Sequence, residues 1–527
     1  MPTKTPSPPP PTGRYRWRIL ALLFFATTIN YMDRSVLGVL APTLQYKVFH
    51  WSDQDYATVN IAFKAAYAIG LVSMGALIDR LGTRIGYTLA ISVWSLFGML
   101  HALVRPAFSL LGFSIARFGL GLGEAGNFPA AIKTTAEWFP RQERAFATGI
   151  FNAGTNVGAI LSPLLIPLFV QPDGAHWQYA FLITGAFSLV WIFVWLKTYQ
   201  PPGLTPGLSA AELAYIQNDS PPATAGVRIA WRRVLPLRQT WAFALAKVTD
   251  AVWWFYLFWG GKYLYDRFGL DLKSLALPLI LIYVVSDAGS IAGGYLSSAL
   301  IRHGWPVNRA RKTALLASAL CVLPIVFVTR IATSFNADEA FYGRLQSARV
   351  AAPRGAAGAV PREAVPPGVL AALRALAGRS FGSAREFTAA ASSVLGAAEE
   401  GRLEPALVES ARSDRRYWLA VLLIALAAAG HQGWSANLFT VVSDVFPKAA
   451  TASVIGIGGT VGAVAGLLAD WSLGRVLTSS GPSGYLFAFL ISGSLYLLAL
   501  AVLQLLMPDM TPLDENLRPT HVHPHES

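Results

Sequence analysis

The feature that most constrains this chain is a series of apolar stretches, each about as long as a membrane is thick. An α-helix rises about 1.5 Å per residue, so roughly 20 mostly apolar residues cross a bilayer's hydrocarbon core. Twelve such stretches are present, at 17–43, 57–78, 85–104, 107–131, 146–170, 178–198, 240–262, 273–301, 313–331, 417–440, 451–474 and 485–507. Composition agrees: the 527 residues are 54% hydrophobic and only 13% charged. A soluble domain carries about 25% charged residues. Half that amount cannot cover a water-facing surface, which excludes an ordinary soluble enzyme and a disordered chain. The single cysteine, Cys321, excludes a disulfide framework and a cysteine-based metal site. The proline-rich tail, residues 1–16, is expected to be disordered. No small-residue cleavage site follows the first stretch, which therefore reads as a retained span and not a signal peptide.

The net charge of +13 then needs a reading. With the N-terminus placed in the cytoplasm, the cytoplasmic tails and loops hold about 20 lysines and arginines and the short outer loops roughly seven, as the positive-inside rule requires. Both termini are therefore expected in the cytoplasm of a bacterial cell, with the chain multi-pass in the inner membrane. Nucleic acid is not expected as a partner, because the basic residues flank spans and have no fold of their own.

The chain is punctuated twice. A basic loop follows span 2 (Asp79-Arg80-Leu81-Gly82-Thr83-Arg84) and another follows span 8 (Arg302 to Lys312). Trp138-Phe139-Pro140 follows span 4, and Val445-Phe446-Pro447 follows span 10. This suits two parallel six-helix repeats: an N-terminal bundle at 17–198, a cytoplasmic linker at 199–239, and a C-terminal bundle at 240–331 and 417–507, ending in a cytoplasmic tail at 508–527. The steps from Arg80 to Arg302 and from Phe139 to Phe446 differ by about 85 residues, which places an insertion between them if the halves are repeats. It falls at 332–416, on the outer side. The segment has eleven arginines, nine acids and no lysine. It is expected to be mobile or loosely helical, without a core of its own; an outer binding or partner domain is the alternative. The fold class expected is an all-α membrane protein of twelve transmembrane helices in two pseudo-repeats, with this outer-side insertion.

Ionisable residues inside spans are costly and are functional candidates by default. Asp33 and Arg34 lie on span 1, Lys64 on span 2, Arg117 and Glu124 on span 4, Lys247 and Asp250 on span 7, and Asp287 on span 8. Arg117 and Glu124 are two turns apart and share a face. Asp33 and Arg34 are neighbours about 100° apart around the helix, so different partners are expected. Arginine's planar fork suits a substrate carboxylate. A carboxylate poised between apolar walls and an arginine can load and release a proton. The competing reading is a static lock between helices, which is favoured for Lys247, Asp250 and Asp287. Tyr31, Tyr67, Thr155, Asn156, Trp254, His431, Gln432 and Asn437 are polar or aromatic companions able to read hydroxyl groups, though packing accounts for any one of them singly. Gly121, Gly123 and Gly126 form a GxGxxG within a span, where close helix approach is the reading and not dinucleotide binding. No Walker lysine, nucleophile elbow or HExxH is present, so neither ATP-driven transport nor common hydrolase chemistry is supported.

Asn30-Tyr31-Met32-Asp33-Arg34, Gly75 through Arg84, Ala116 through Pro129, and Glu137-Trp138-Phe139-Pro140 resemble the major facilitator superfamily, and within it the anion:cation symporter family. Val252 through Trp259 and His431 through Phe439 resemble its hexuronate transporter branch. The resemblance covers the spans but not 332–416 or the extreme tails. It implies a proton-coupled importer of a sugar acid such as glucuronate or galacturonate, not an enzyme, with no cofactor or metal. It implies Arg34 and Arg117 at the substrate carboxylate, Asp33 and Glu124 as proton carriers, and Tyr31, Tyr67 and Thr155 lining the cavity. Asp79, Arg80 and Arg84 fall on its cytoplasmic gating motif. Lys64 stands where a neutral polar residue is expected, and Thr155 where related sugar-acid carriers have glutamine. The expected partners are the anion, protons and lipid, and the expected state is a monomer. Two alternatives remain open: another organic anion (an aldonate, dicarboxylate or aromatic acid), or a non-transporting membrane sensor.

Overall fold

The computed structural model describes residues 13–217 except 172, residues 231–331 except 271, residues 414–520, and parts of 335–411. Residues 1–12 and 521–527, including His521, His523 and His525, lie outside the described residues. All twelve apolar stretches are helical. They occupy α1 (Tyr15–Pro42), α2 (Asp53–Leu100), α3 (Ser109–Glu124), α4 (Asn127–Trp138), α5 (Arg141–Phe169), α6 (Trp177–Thr198), α7 (Arg238–Ala246), α8 (Asp250–Phe268), α9 (Ala276–Arg302), α10 (Val307–Val322), α11 (Arg415–Val445), α12 (Lys448–Ser480) and α13 (Tyr485–Leu506). The run α2 carries two of them, broken at Gly82, whose φ of 75° and ψ of 159° suit glycine and not a side-chain-bearing residue. Spans 4 and 7 are each split, by the turn between α3 and α4 and by a 3-10 turn between α7 and α8.

Among the described residues, eight stretches are long and apolar enough to cross a membrane by length and composition; the last, Ser453–Leu506, contains two helices. Spans 1, 2 and 7 are not among these eight stretches. They carry Asp33 and Arg34, Lys64, and Lys247, Asp250 and Lys262 respectively. Large apolar side chains such as Phe193, Ile291 and Leu498 face outward, a surface that a hydrocarbon solvent accepts and water does not.

Contacts group the chain into two units. The first comprises Met1–Ser35, Ala62–Ser162 and Gln178–Ile229, and the second Val36–Ile61, Pro163–Trp177 and Ala230–Ser527. In the first, glycines make the seams. A Cβ on Gly123 would lie 2.5 Å from Trp94 N and 2.9 Å from Ala90 O, so the two helices meet backbone to backbone. In the second, α9 packs along α11, and a Cβ on Gly293 would lie 2.5 Å from Gly433 Cα.

Two expectations are corrected. The tail at 1–16 is not wholly disordered: α1 begins at Tyr15, and Arg16 is buried in ion pairs with Glu143 (3.0 Å) and Glu212 (3.2 Å). The insertion does have a core. Phe341, Val369, Leu373, Leu376, Phe387 and Ala391 cluster at its centre. Two short helices, Pro367–Arg374 and Ala384–Ser392, supply several of these residues, and the described residues also form two small antiparallel ladders pairing 335–336 with 380–381 and 349–351 with 362–364.

Candidate functional site

In the first unit, α1, the second span and α3 bring charged side chains together in a buried setting. Arg34 Nε donates to Glu124 Oε2 at 2.7 Å, and both groups are buried. The Arg34 guanidinium also lies over Tyr31 at 4.5 Å and Tyr67 at 4.8 Å, and its Nη2 donates to Asn30 Oδ1 at 3.4 Å. Arg117, fully buried, lies over the Phe63 ring at 4.5 Å, and Arg34 lies 5.5 Å from the same ring. One phenyl ring thus stands between two guanidinium groups, and nothing in the sequence pattern singled it out. Such stacking orients a cation while leaving its edge donors able to meet an anion. Arg117 and Arg34 both act electrostatically on Glu124. Lys64 is buried on the same helix as Tyr67.

Asp33 takes a different environment from its neighbour, as the 100° step predicts. Its Oδ2 accepts from Ser188 Oγ at 3.4 Å, and Trp94 Nε1 donates to the same hydroxyl at 3.0 Å. Asp33 Oδ1 and Glu124 Oε1 are buried and meet no hydrogen-bond partner among the described residues. A buried carboxylate oxygen without a donor is a natural place for a proton. Thr155 and Asn156 sit together on α5, joined by a 3.4 Å side-chain bond.

The second unit holds Trp254, His431, Gln432 and Asn437. His431 Nδ1 hydrogen-bonds Tyr496 Oη at 2.7 Å, and its ring stacks on Trp253 at 5.4 Å. Trp254 stacks on Phe258, and Gln432 is partly exposed. Asn437 donates to Gly293 O and Gly433 O, both at 2.9 Å, stitching α11 to α9. Lys247 pairs with Asp250 at 2.5 Å, the local lock expected of them. Replacing Tyr496 with phenylalanine strands a buried imidazole nitrogen, so a loss of roughly 1–3 kcal/mol is expected. It would be read as a lower melting temperature in detergent; an unchanged value would show that the bond is dispensable.

The motif after span 2 is tied down at the end of the bundle bearing the N-terminus. Arg84 Nη2 donates to Leu196 O at 2.6 Å, Thr83 Oγ1 donates to Glu137 Oε1 at 2.7 Å, and the Tyr199 hydroxyl donates to Glu137. Arg80 is exposed; the Asp79 side chain lies outside the described residues. The second unit repeats the chemistry with Arg311 and Asp444 at 2.9 Å. Leu513 N donates to Val445 O at 2.7 Å, which draws the C-terminal segment back onto the helices.

Residues 23–341 match the family described as the Major Facilitator Superfamily. The chain belongs to that superfamily. Its members are transporters and not enzymes, and the chain is a multi-pass membrane protein. It is 36% identical to a galacturonate transporter of Dickeya chrysanthemi over 286 residues, which is 53% of this chain and 81% of the relative. It is 34% identical to a hexuronate transporter of Escherichia coli K12 over 53% of this chain and 65% of the relative. It is 30% identical to a D-galactonate transporter of Escherichia coli O6:H1 over 58% of this chain and 73% of the relative. Among solved structures it shares its fold with a bacterial homologue of the lysosomal transporter Spinster (TM-score 0.60, 16% identity, 94% of this chain and 98% of that one). A D-xylose–proton symporter has the same fold (TM-score 0.60, 13% identity, 94% and 99%).

Proposed function

We propose that the protein imports a sugar-acid monoanion of the hexuronate class by proton-coupled alternating access. The observation that carries the reading is the buried Arg34–Glu124 pair, with Arg117 acting on the same carboxylate. An arginine already held by a carboxylate can exchange that partner for a substrate carboxylate when Glu124 takes a proton. Binding and protonation then become one event, which is the requirement for symport. Asp33, buried among Ser188 and Thr184, is the second proton site in this reading. Tyr31 and Tyr67 flank Arg34 and offer hydroxyls to a sugar. The relatives named for galacturonate and hexuronate transport support the substrate class. The D-galactonate relative supports an aldonate as the second reading. The basic loops support both termini in the cytoplasm and the insertion outside.

The test is uptake of labelled glucuronate, galacturonate and galactonate into proteoliposomes with an inward proton gradient. Asp33→Asn is expected to lose accumulation against a gradient while keeping exchange of internal for external substrate. Gradient-driven accumulation that survives this substitution would remove Asp33 from the coupling. A parent protein that accumulates none of the three acids would overturn the function itself.

A further inference from the structure

At the end of the second unit remote from the Arg311–Asp444 pair, a second buried ion network sits outside the candidate site. Lys262 Nζ lies 2.9 Å from Asp53 Oδ1 and 2.5 Å from Asp266 Oδ2. Tyr46 Oη donates to Asp266 Oδ1 at 2.8 Å, Tyr485 Oη donates to Asp266 Oδ2 at 3.2 Å, and Gln45 Nε2 donates to Asp53 Oδ1 at 2.5 Å. Lys262 and Asp266 are almost wholly buried. The network joins α8 to the turn after α1 and to the first turn of α2. One turn inward, Tyr56 Oη donates to Phe258 O. The two acids are not equivalent. Asp266 is four residues from Lys262 on the same helix and stays with it, whereas Asp53 belongs to another element. Separating Asp53 from Lys262 leaves the lysine one carboxylate, so the parting avoids stranding a lone buried cation.

The inserted segment docks on the same end of α8. Helix Ala384–Ser392 packs against α8. A Cβ on Gly269 would stand 3.3 Å from Leu407 Cβ and 3.5 Å from Ala384 Cβ, and Gly269 holds the left-handed φ of 69° that closes the helix. Glu386 acts electrostatically on Arg267, the residue after Asp266. The insertion has its own core, so it can bear on α8 as a body and not as a loose strand.

We propose that the insertion is a clamp on an outer gate: docked on α8, it holds that helix where Lys262 meets Asp53 and so sets how often this mouth opens. The proposal rests on the transport reading above for what passes through the gate. Its test is therefore made without substrate. In a Cys321→Ser background, a reporter cysteine replaces the buried Asn60, one turn beyond Tyr56 on α2. Its alkylation by a membrane-impermeant maleimide is followed in vesicles that expose the outer face.

Labelling is expected to be slow in the parent and up to about fivefold faster in Glu386→Arg, because an exposed carboxylate beside a buried guanidinium is worth up to about 1 kcal/mol and its reversal turns the attraction into repulsion. Replacing 336–410 with a short Gly/Ser linker should have the same effect or a larger one. The swap Glu386→Arg with Arg267→Glu should return the rate toward the parent's, which a general loosening of the fold would not do. Lys262→Met shows that the reporter reads the network. Equal rates in all of these proteins would overturn the gate. A response to Lys262→Met alone would overturn the clamp. Uptake is measured on the same preparations: failure of uptake with the expected labelling pattern removes the transport reading and leaves the clamp standing, and intact uptake with flat labelling does the reverse.

Discussion

Arg34→Ala should abolish gradient-driven uptake and also cost the protein several kcal/mol of stability. The two effects have one cause. Glu124 is fully buried, and Arg34 pairs with it at 2.7 Å. Removing one member of a buried pair costs about 3–5 kcal/mol when nothing else compensates the other; here Arg117 still acts on Glu124, so the loss should fall toward the lower end. Glu124→Gln keeps the volume and removes the charge that competes for Arg34. It should melt closer to the parent and still fail to couple substrate to protons. Arg34→Lys keeps the charge but loses the planar fork that stacks between Tyr31 and Tyr67, so its uptake should fall by about a hundredfold or more. Melting temperature and uptake measured on one preparation separate the cases. If Arg34→Ala both folds as well as the parent and transports, the assignment of this pair fails.

Gly123→Leu should leave little or no folded protein. Even a single Cβ at this position would meet Trp94 N at 2.5 Å, and main-chain atoms in a helix seam cannot step aside as a flexible side chain can. Overpacking costs about 1–3 kcal/mol where side chains can yield; here the two helices themselves must part. Gly294→Ala is the matched control, because a Cβ there meets nothing within 4 Å. It should fold as well as the parent or better, since alanine is preferred over glycine in a helix. Size-exclusion profiles of detergent extracts decide the matter. A monodisperse Gly123→Leu protein would show that the seam is looser than its geometry implies.

The spans were legible because each needs only a run of apolar residues, and a run is local. The glycines of α3 were legible as a close seam for the same reason. The different surroundings of Asp33 and Arg34 followed from helical geometry alone. Their partners did not: Glu124 is 90 residues away from Arg34, and Ser188 is 155 away from Asp33. Phe63 passed unnoticed because a phenylalanine in a span is ordinary until two guanidinium groups lie over it. Lys262 and Asp266 have helical i,i+4 spacing, which was a usable signal, but Asp53 lies far away in sequence. The core of the insertion escaped notice because Phe341, Leu373 and Phe387 are scattered among alanines and arginines with no sustained period.

Span 1 carries two buried charges, Asp33 and Arg34. During synthesis, each charged residue at the centre of an inserting helix adds about 2.5–3.5 kcal/mol against its entry into the bilayer. Asp33 and Arg34 together leave α1 a poor candidate to enter alone. Its neutral surroundings come later in the chain: Glu124 on α3, the Ser162 hydroxyl that bonds Met32 O, and Ser188 on α6. Span 1 therefore meets its polar partners only after helices made later have joined it. The side chains proposed to move substrate make the order of birth and the order of settling different.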